Sequence, residues 1–200
     1  VSYKPSSIIT SLFMKHPLLL SWVLFLLTNH YSFSHQIISN DFSLIRKQIF
    51  DIVQNNVNIV ALDTQVAELT ASLSPDGFFT DINYTDQSQS NWQPNEHFSR
   101  MATLAKAYSQ QQSTYYNSPT LLTSIVNLMT FWTNQSSPAV SSNWYYYSIS
   151  VPKFIGYTLI CMRHAPTGLT ATLEQDMIQW MLKGIPIDQA PSNEGANLVD

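Results

Sequence analysis

Asn143-Trp144-Tyr145-Tyr146-Tyr147-Ser148-Ile149-Ser150-Val151-Pro152 is the stretch whose reading decides the fold class. Aromatic and β-branched residues suit a pleated, half-buried surface, so a strand competes with a helix here more strongly than anywhere else. Read as a strand, Tyr146 and Tyr147 alternate between packing and solvent, and the run stops at Pro152. Nowhere else does the chain hold a convincing alternating apolar and polar run.

The segments on either side are helical in pattern. Asn40 is placed to cap a helix with Ile45, Ile49, Ile52 and Val53 on one face. A second segment carries Leu62, Val66, Leu69 and Leu73 at helical spacing, and Ser74-Pro75-Asp76-Gly77 breaks it. A polar and aromatic loop runs from Phe78 to Pro94. Its Phe78, Phe79, Tyr84 and Trp92 need buried partners, so the spacing predicts an ordered loop of functional length. Pro94 suits the start of a helix bearing His97, Phe98, Met101, Leu104, Ala105 and Tyr108. Pro119 opens another, with Leu122, Ile125, Leu128, Met129 and Trp132. Pro152 opens a further one, with Ile155, Leu159 and Met162. A last helix, about Thr170 to Lys183, carries Leu173, Met177, Trp180 and Met181. Helices joined by short turns and a few long loops predict an all-α array of antiparallel hairpins, with aromatic loops at one end.

Composition bounds what such an array does. The 200 residues give room for one domain with a sizeable core, and 44% are hydrophobic and 12% aromatic. Charged residues make up 11%, the net charge is −4, and the nine Lys and Arg form no basic run, so nothing points to nucleic acid. Cys161 is the one cysteine, which excludes an internal disulfide and a cysteine metal cluster. Asp76, Asp81 and Asp86 lack the tight alternation and closing Glu of a calcium loop, so neither metal nor cofactor is expected. Asn83-Tyr84-Thr85 and Asn134-Gln135-Ser136 are glycosylation sequons.

The first residues read as an address. Met14-Lys15-His16 precede an apolar run from Pro17 to Leu27, and Ser32-Phe33-Ser34 is a small-x-small site. That order matches a secretory signal cleaved after Ser34. The apolar run is shorter than the ~20 residues a spanning helix needs. Met14 is the natural start, residues 1–34 are left out of the fold, and residues 35–200 form the domain. The expected location is extracellular or periplasmic, with no membrane attachment after cleavage.

Asn143, Trp144 and Tyr145 admit two readings. Sugar rings have apolar C–H faces that stack on aromatic planes, while Asn and Tyr hydroxyls bond sugar hydroxyls. The plain alternative is core packing.

Four groups of residues carry a family resemblance. They are Asp76-Gly77-Phe78-Phe79-Thr80-Asp81; Asp86-Gln87-Ser88 with Trp92 and His97-Phe98-Ser99-Arg100; Asn143-Trp144 followed by Ile149-Ser150-Val151-Pro152; and Gly195-Ala196-Asn197. In this order they resemble the N-terminal region of polysaccharide lyase family 8, the hyaluronate, chondroitin AC and xanthan lyases, over about residues 40 to 200. The resemblance implies the N-terminal part of an incomplete α/α toroid. It implies a lyase that cleaves a uronic-acid polysaccharide by β-elimination and is monomeric when complete. Asn197 matches the amide that neutralises the substrate carboxylate. Trp144, Tyr145 and Asn143 match the aromatic patch that positions the polymer. The family's catalytic His and Tyr are expected downstream of Asp200. Where many relatives carry two tryptophans, this chain has Trp144-Tyr145, and Ser148 replaces a charged or amide residue.

Two other functions fit the residues. A helical module could bind glycan without catalysis. A glycoside hydrolase on a similar toroid needs paired carboxylates, for which Glu96, Glu174 and Glu194 are available. Other residues have plainer uses. Trp92 and Trp132 suit a core or groove wall. His97 and Arg100 share a helix face suited to holding the Asp81–Asp86 loop. Arg163 and His164 suit a helix C-terminus, where the dipole favours cations.

Overall fold

A computed structural model describes residues 41–135 and 141–183. It divides into two compact units, Val1–Gln48 and Ile49–Asp200. In the first, the described residues 41–48 are helical and exposed, with Phe42, Leu44 and Ile45 open to solvent. Asn40, the expected cap, lies outside the described residues, as do the signal segment and Gly195-Ala196-Asn197.

The regular structure of the second unit is helical, and among the described residues the one β-bridge joins Leu73 and Phe79. Helical residues 49–54 lead to α1 (Ile59–Ala71), α2 (Pro94–Ser109), α3 (Pro119–Thr133), α4 (Val151–His164) and α5 (Ala171–Lys183). The starts follow from local chemistry. The Asn58 side chain accepts from the Ala61 N–H and the Ser118 side chain from the Leu121 N–H, and prolines sit in the first turns of α2 and α3.

Helix α2 is the centre of the unit and packs on α1, α3 and α4; α5 closes against α3 and α4. α2 and α3 form an antiparallel hairpin, since Phe98 near the start of α2 meets Trp132 at the end of α3, edge to face at 4.6 Å. At its other end, the Asn117 N–H donates to the Tyr108 carbonyl at 3.0 Å. α4 runs parallel to α2. The Ser150 hydroxyl donates to Asn95 Oδ1 at one end, and Gln54 spans from Ser109 Oγ to Cys161 Sγ at the other. α5 then folds back, with Trp180 reaching Trp132. The expected array of antiparallel hairpins is what forms.

The seam of these helices is the core. Phe98, Met101, Leu104, Ile125, Leu128, Met129 and Ile155 are each fully buried. Each such side chain contributes roughly 1.5–3 kcal/mol by leaving water. Trp92 and Trp132 are also core, at 2% and 1% exposure.

One helix face differs from expectation. Ile52 is 72% exposed, whereas Phe50, Val53 and Val57 pack on the core. The stripe is turned because Phe50 stacks on His164 at 4.4 Å and Gln54 is held by the Lys106 carbonyl and Ser109. A large ring and a fixed amide outweigh one isoleucine.

The deciding stretch is not a strand. Trp144 and Tyr145 are already helical, Tyr146–Ser150 is a π turn, and α4 follows without a break. The π turn answers the proline. In an uninterrupted α-helix the Pro152 ring would press on the carbonyl four residues back. Here the Val151 N–H bonds the Tyr146 carbonyl, five residues back, and the wider turn makes room. Tyr146 and Tyr147 therefore do not alternate. Both are half-buried and both meet Trp92, at ring distances of 5.4 and 5.8 Å.

Candidate functional site

The site grows from the junction of two loops. One is the Phe78–Pro94 loop. It is ordered, with Phe79 and Ile82 buried alongside Trp92. Its base is closed by paired bonds between Ser74 and Phe78 and between Thr80 and Ser72. Gly77 turns the chain at φ +84°, and a Cβ there would lie 2.0 Å from the Asn127 carbonyl oxygen. Glycine is the residue that both the angle and the space allow.

The face of α2 holds this loop, as its residues predict. Arg100 Nη1 donates to Asp81 Oδ1 at 2.8 Å, and that bond holds the Asp81 carboxyl below its ordinary value. Tyr84 lies 3.0 Å from His97 Nδ1, while His97 Nε2 lies 3.2 Å from the Leu128 carbonyl. A carbonyl only accepts, so Nε2 carries the proton and Nδ1 accepts from the Tyr84 hydroxyl. That hydroxyl in turn accepts from the Phe79 N–H. Burial drives the His97 pKa down to about 3 and pushes Tyr84 up to about 12. His97 is thus a neutral, enclosed strut with no path to a substrate.

Asn143, Trp144 and Tyr145 stand at the helix start. Asn143 Oδ1 accepts from the Tyr145 N–H at 3.0 Å, and its Nδ2 donates to the Gln89 carbonyl at 2.9 Å. The amide therefore caps the helix and braces the loop, and its second N–H has no partner among the described residues. Trp144 is half-buried and Tyr145 is 38% exposed. Their rings meet edge to face at 6.5 Å, and Tyr145 leans on Tyr146 at 5.8 Å. Among the described residues, neither the Trp144 indole N–H nor the Tyr145 hydroxyl has a hydrogen-bond partner. An apolar pair with free polar tips suits a flat ring edged by hydroxyls.

Behind this pair sits a support that the sequence reading did not single out. The Tyr146 hydroxyl accepts from the Trp92 N–H at 3.1 Å, and the Trp92 indole donates to the Asp86 carbonyl at 2.9 Å. The Tyr147 hydroxyl is buried beside the Ser141 backbone without reaching hydrogen-bond geometry, and burial pushes its pKa up to about 12. The Trp92–Tyr146 contact joins segments 54 residues apart, and no local spacing announces it.

The remaining candidates are engaged elsewhere or lie beyond view. Glu96 pairs with Arg100 and Glu174 with Arg163, on different helices. Asn197 and Glu194 lie outside the described residues. Among the described residues no group of three His, Cys, Asp or Glu is placed to hold a metal ion, and no helix is long and apolar enough to cross a membrane.

Comparisons with known proteins bear on the fold and the family. Residues 37–200 match the family model for the N-terminal α-helical domain of polysaccharide lyase family 8. The chain is 30% identical to chondroitinase-AC of Pedobacter heparinus over 123 residues, which is 62% of this chain and 17% of that protein. It is also similar to a solved chondroitinase AC lyase, studied as enzyme–oligosaccharide complexes. The TM-score is 0.64 at 28% identity, over 70% of this chain and 20% of that one. The chain thus spans under a fifth of the length of the curated relative it matches.

Proposed function

Because the chain belongs to polysaccharide lyase family 8, with the α-helical fold of that family's N-terminal domain, we propose that it serves a secreted lyase acting on an acidic, uronic-acid polysaccharide of the hyaluronan or chondroitin kind. The observation that carries this reading is the Trp144–Tyr145 pair. It is presented at a helix start, its polar tips have no partner among the described residues, and it is anchored from below by Asn143.

In this reading the pair holds a sugar ring by stacking, and the spare N–H of Asn143 bonds a ring hydroxyl. Asn197 places its amide beside the uronate carboxylate. The C5 proton is weakly acidic until the charge that develops on that carboxylate is stabilised, and an amide donor supplies this. A base then takes the C5 proton, the C4–O bond breaks, and an acid protonates the departing oxygen. His97 is not that base, being enclosed and neutral. The base and acid are assigned to residues of the longer lyase.

The enclosure of His97 also favours a second reading, in which this chain by itself binds glycan and does not cleave it. Incubation with hyaluronan and chondroitin sulfate separates the cases. Ultraviolet absorbance from a new C4–C5 double bond supports the lyase. Oligosaccharide-dependent quenching of tryptophan fluorescence without that product supports the binding module. New reducing ends without unsaturation indicate hydrolysis and overturn the lyase.

A further inference from the structure

The loop from Asp86 to Trp92 is bound to the segment that carries Trp144 at four points. Ser141 Oγ donates to the Ser88 carbonyl at 2.7 Å, Gln89 Nε2 to Ser142 Oγ at 3.0 Å, Asn143 Nδ2 to the Gln89 carbonyl at 2.9 Å, and the Trp92 N–H to the Tyr146 hydroxyl at 3.1 Å. These partners flank Trp144 and Tyr145 on both sides in sequence.

The loop's own shape hangs on Asp86. Its Oδ1 accepts from the backbone N–H and the hydroxyl of Ser88, its Oδ2 accepts from the Gln93 N–H at 2.9 Å, and its carbonyl accepts from the Trp92 indole. One residue thus closes the loop at both ends. The Ser88 and Gln93 bonds also hold the Asp86 carboxyl below its ordinary value.

We propose that Asp86 is a positioning residue for the aromatic platform: through the Asp86–Trp92 loop it fixes the attitude of Trp144 and Tyr145, and so the affinity of the sugar subsite. The proposal rests on the lyase reading for its ligand, but the mechanical coupling stands by itself. Both carboxylate oxygens of Asp86 are already engaged, by Ser88 and by the Gln93 N–H. Its effect passes through Ser88, Gln89 and Trp92.

The test uses Asp86→Asn, which turns one acceptor oxygen into a donor facing a backbone N–H, and Gln89→Ala, which removes one exposed cross-loop bond. Hydrogen exchange at the Tyr145 and Tyr146 amides is expected to quicken about tenfold in Asp86→Asn and less in Gln89→Ala, with the α3 amides unchanged. The Kd for a uronic-acid oligosaccharide is expected to rise five- to tenfold in Asp86→Asn. Unchanged exchange at Tyr145 and Tyr146 overturns the coupling, whether or not any sugar binds. Faster exchange with an unmoved Kd overturns the link to affinity, as does a weaker Kd accompanied by faster exchange in α3, which is the mark of partial unfolding. Wild-type protein that neither cleaves nor binds any uronic polymer removes the lyase reading, while the exchange measurement still decides the coupling.

Discussion

The phenolic oxygen of Tyr84 lies 3.0 Å from Nδ1 of His97, and this bond couples the polar-aromatic loop to the central helix. The same oxygen accepts from the Phe79 N–H, so one hydroxyl fastens the loop at two levels. Tyr84→Phe keeps the ring and deletes both bonds. It leaves His97 Nδ1 buried without a donor, and such orphaned groups cost about 1–3 kcal/mol. Urea unfolding is expected to show a loss of that size, with the helical circular dichroism retained.

His97 gives stability a pH dependence of definite sign. Its folded pKa, about 3, lies below the ordinary value of 6.5. Between these values the unfolded chain holds a proton that the folded one excludes. Stability from this group is complete above pH 6.5 and is lost as pH falls, by at most about 1.4 kcal/mol per unit. Urea midpoints measured from pH 7 to pH 5 are expected to fall in the wild type. They flatten in His97→Gln, whose side chain does not titrate.

Gly77→Ala is expected to be among the most damaging single changes. The added methyl lands 2.0 Å from the Asn127 oxygen, and the φ of +84° is unfavourable to any side chain. A loss of about 3 kcal/mol is expected. Size-exclusion and urea unfolding measure it, and a loss under half that size would show that the loop base yields easily.

Trp144→Ala tests the platform directly. The ring is half-buried against Tyr145 and outside the core, so the melting temperature is expected to hold within about 2 °C. Affinity for a uronic oligosaccharide is expected to fall about tenfold, equivalent to about 1.4 kcal/mol. Isothermal titration measures it, and unchanged affinity places the sugar elsewhere.

The hairpin array, the helix starts at Pro94 and Pro119, and the use of His97 and Arg100 to hold the Asp81–Asp86 loop were all legible in the chain. They depend on local spacing, capping and apolar periodicity, which one segment carries within itself. The family resemblance was legible too, because its short motifs keep their order. Two readings failed for a shared reason. The run up to Pro152 reads as a strand, because its rings suit a pleated surface and proline disfavours the α region for the residue before it. Yet Val151 sits at φ −63°, ψ −49°. Its burial at 3% exposure, the Ser150–Asn95 bond and the Tyr146–Trp92 bond outweigh that preference, and a π turn absorbs the ring. The stripe on helical residues 49–54 likewise follows Phe50 and Gln54, whose partners are distant in sequence. By itself the sequence determined which segments coil and what chemistry they carry. The tertiary structure decided that the aromatic run is helical, and that Asp86 and Trp92 underlie its Trp144–Tyr145 pair. Those outcomes depend on contacts across more than fifty residues, where burial and hydrogen bonding exceed the fractions of a kcal/mol that separate local preferences.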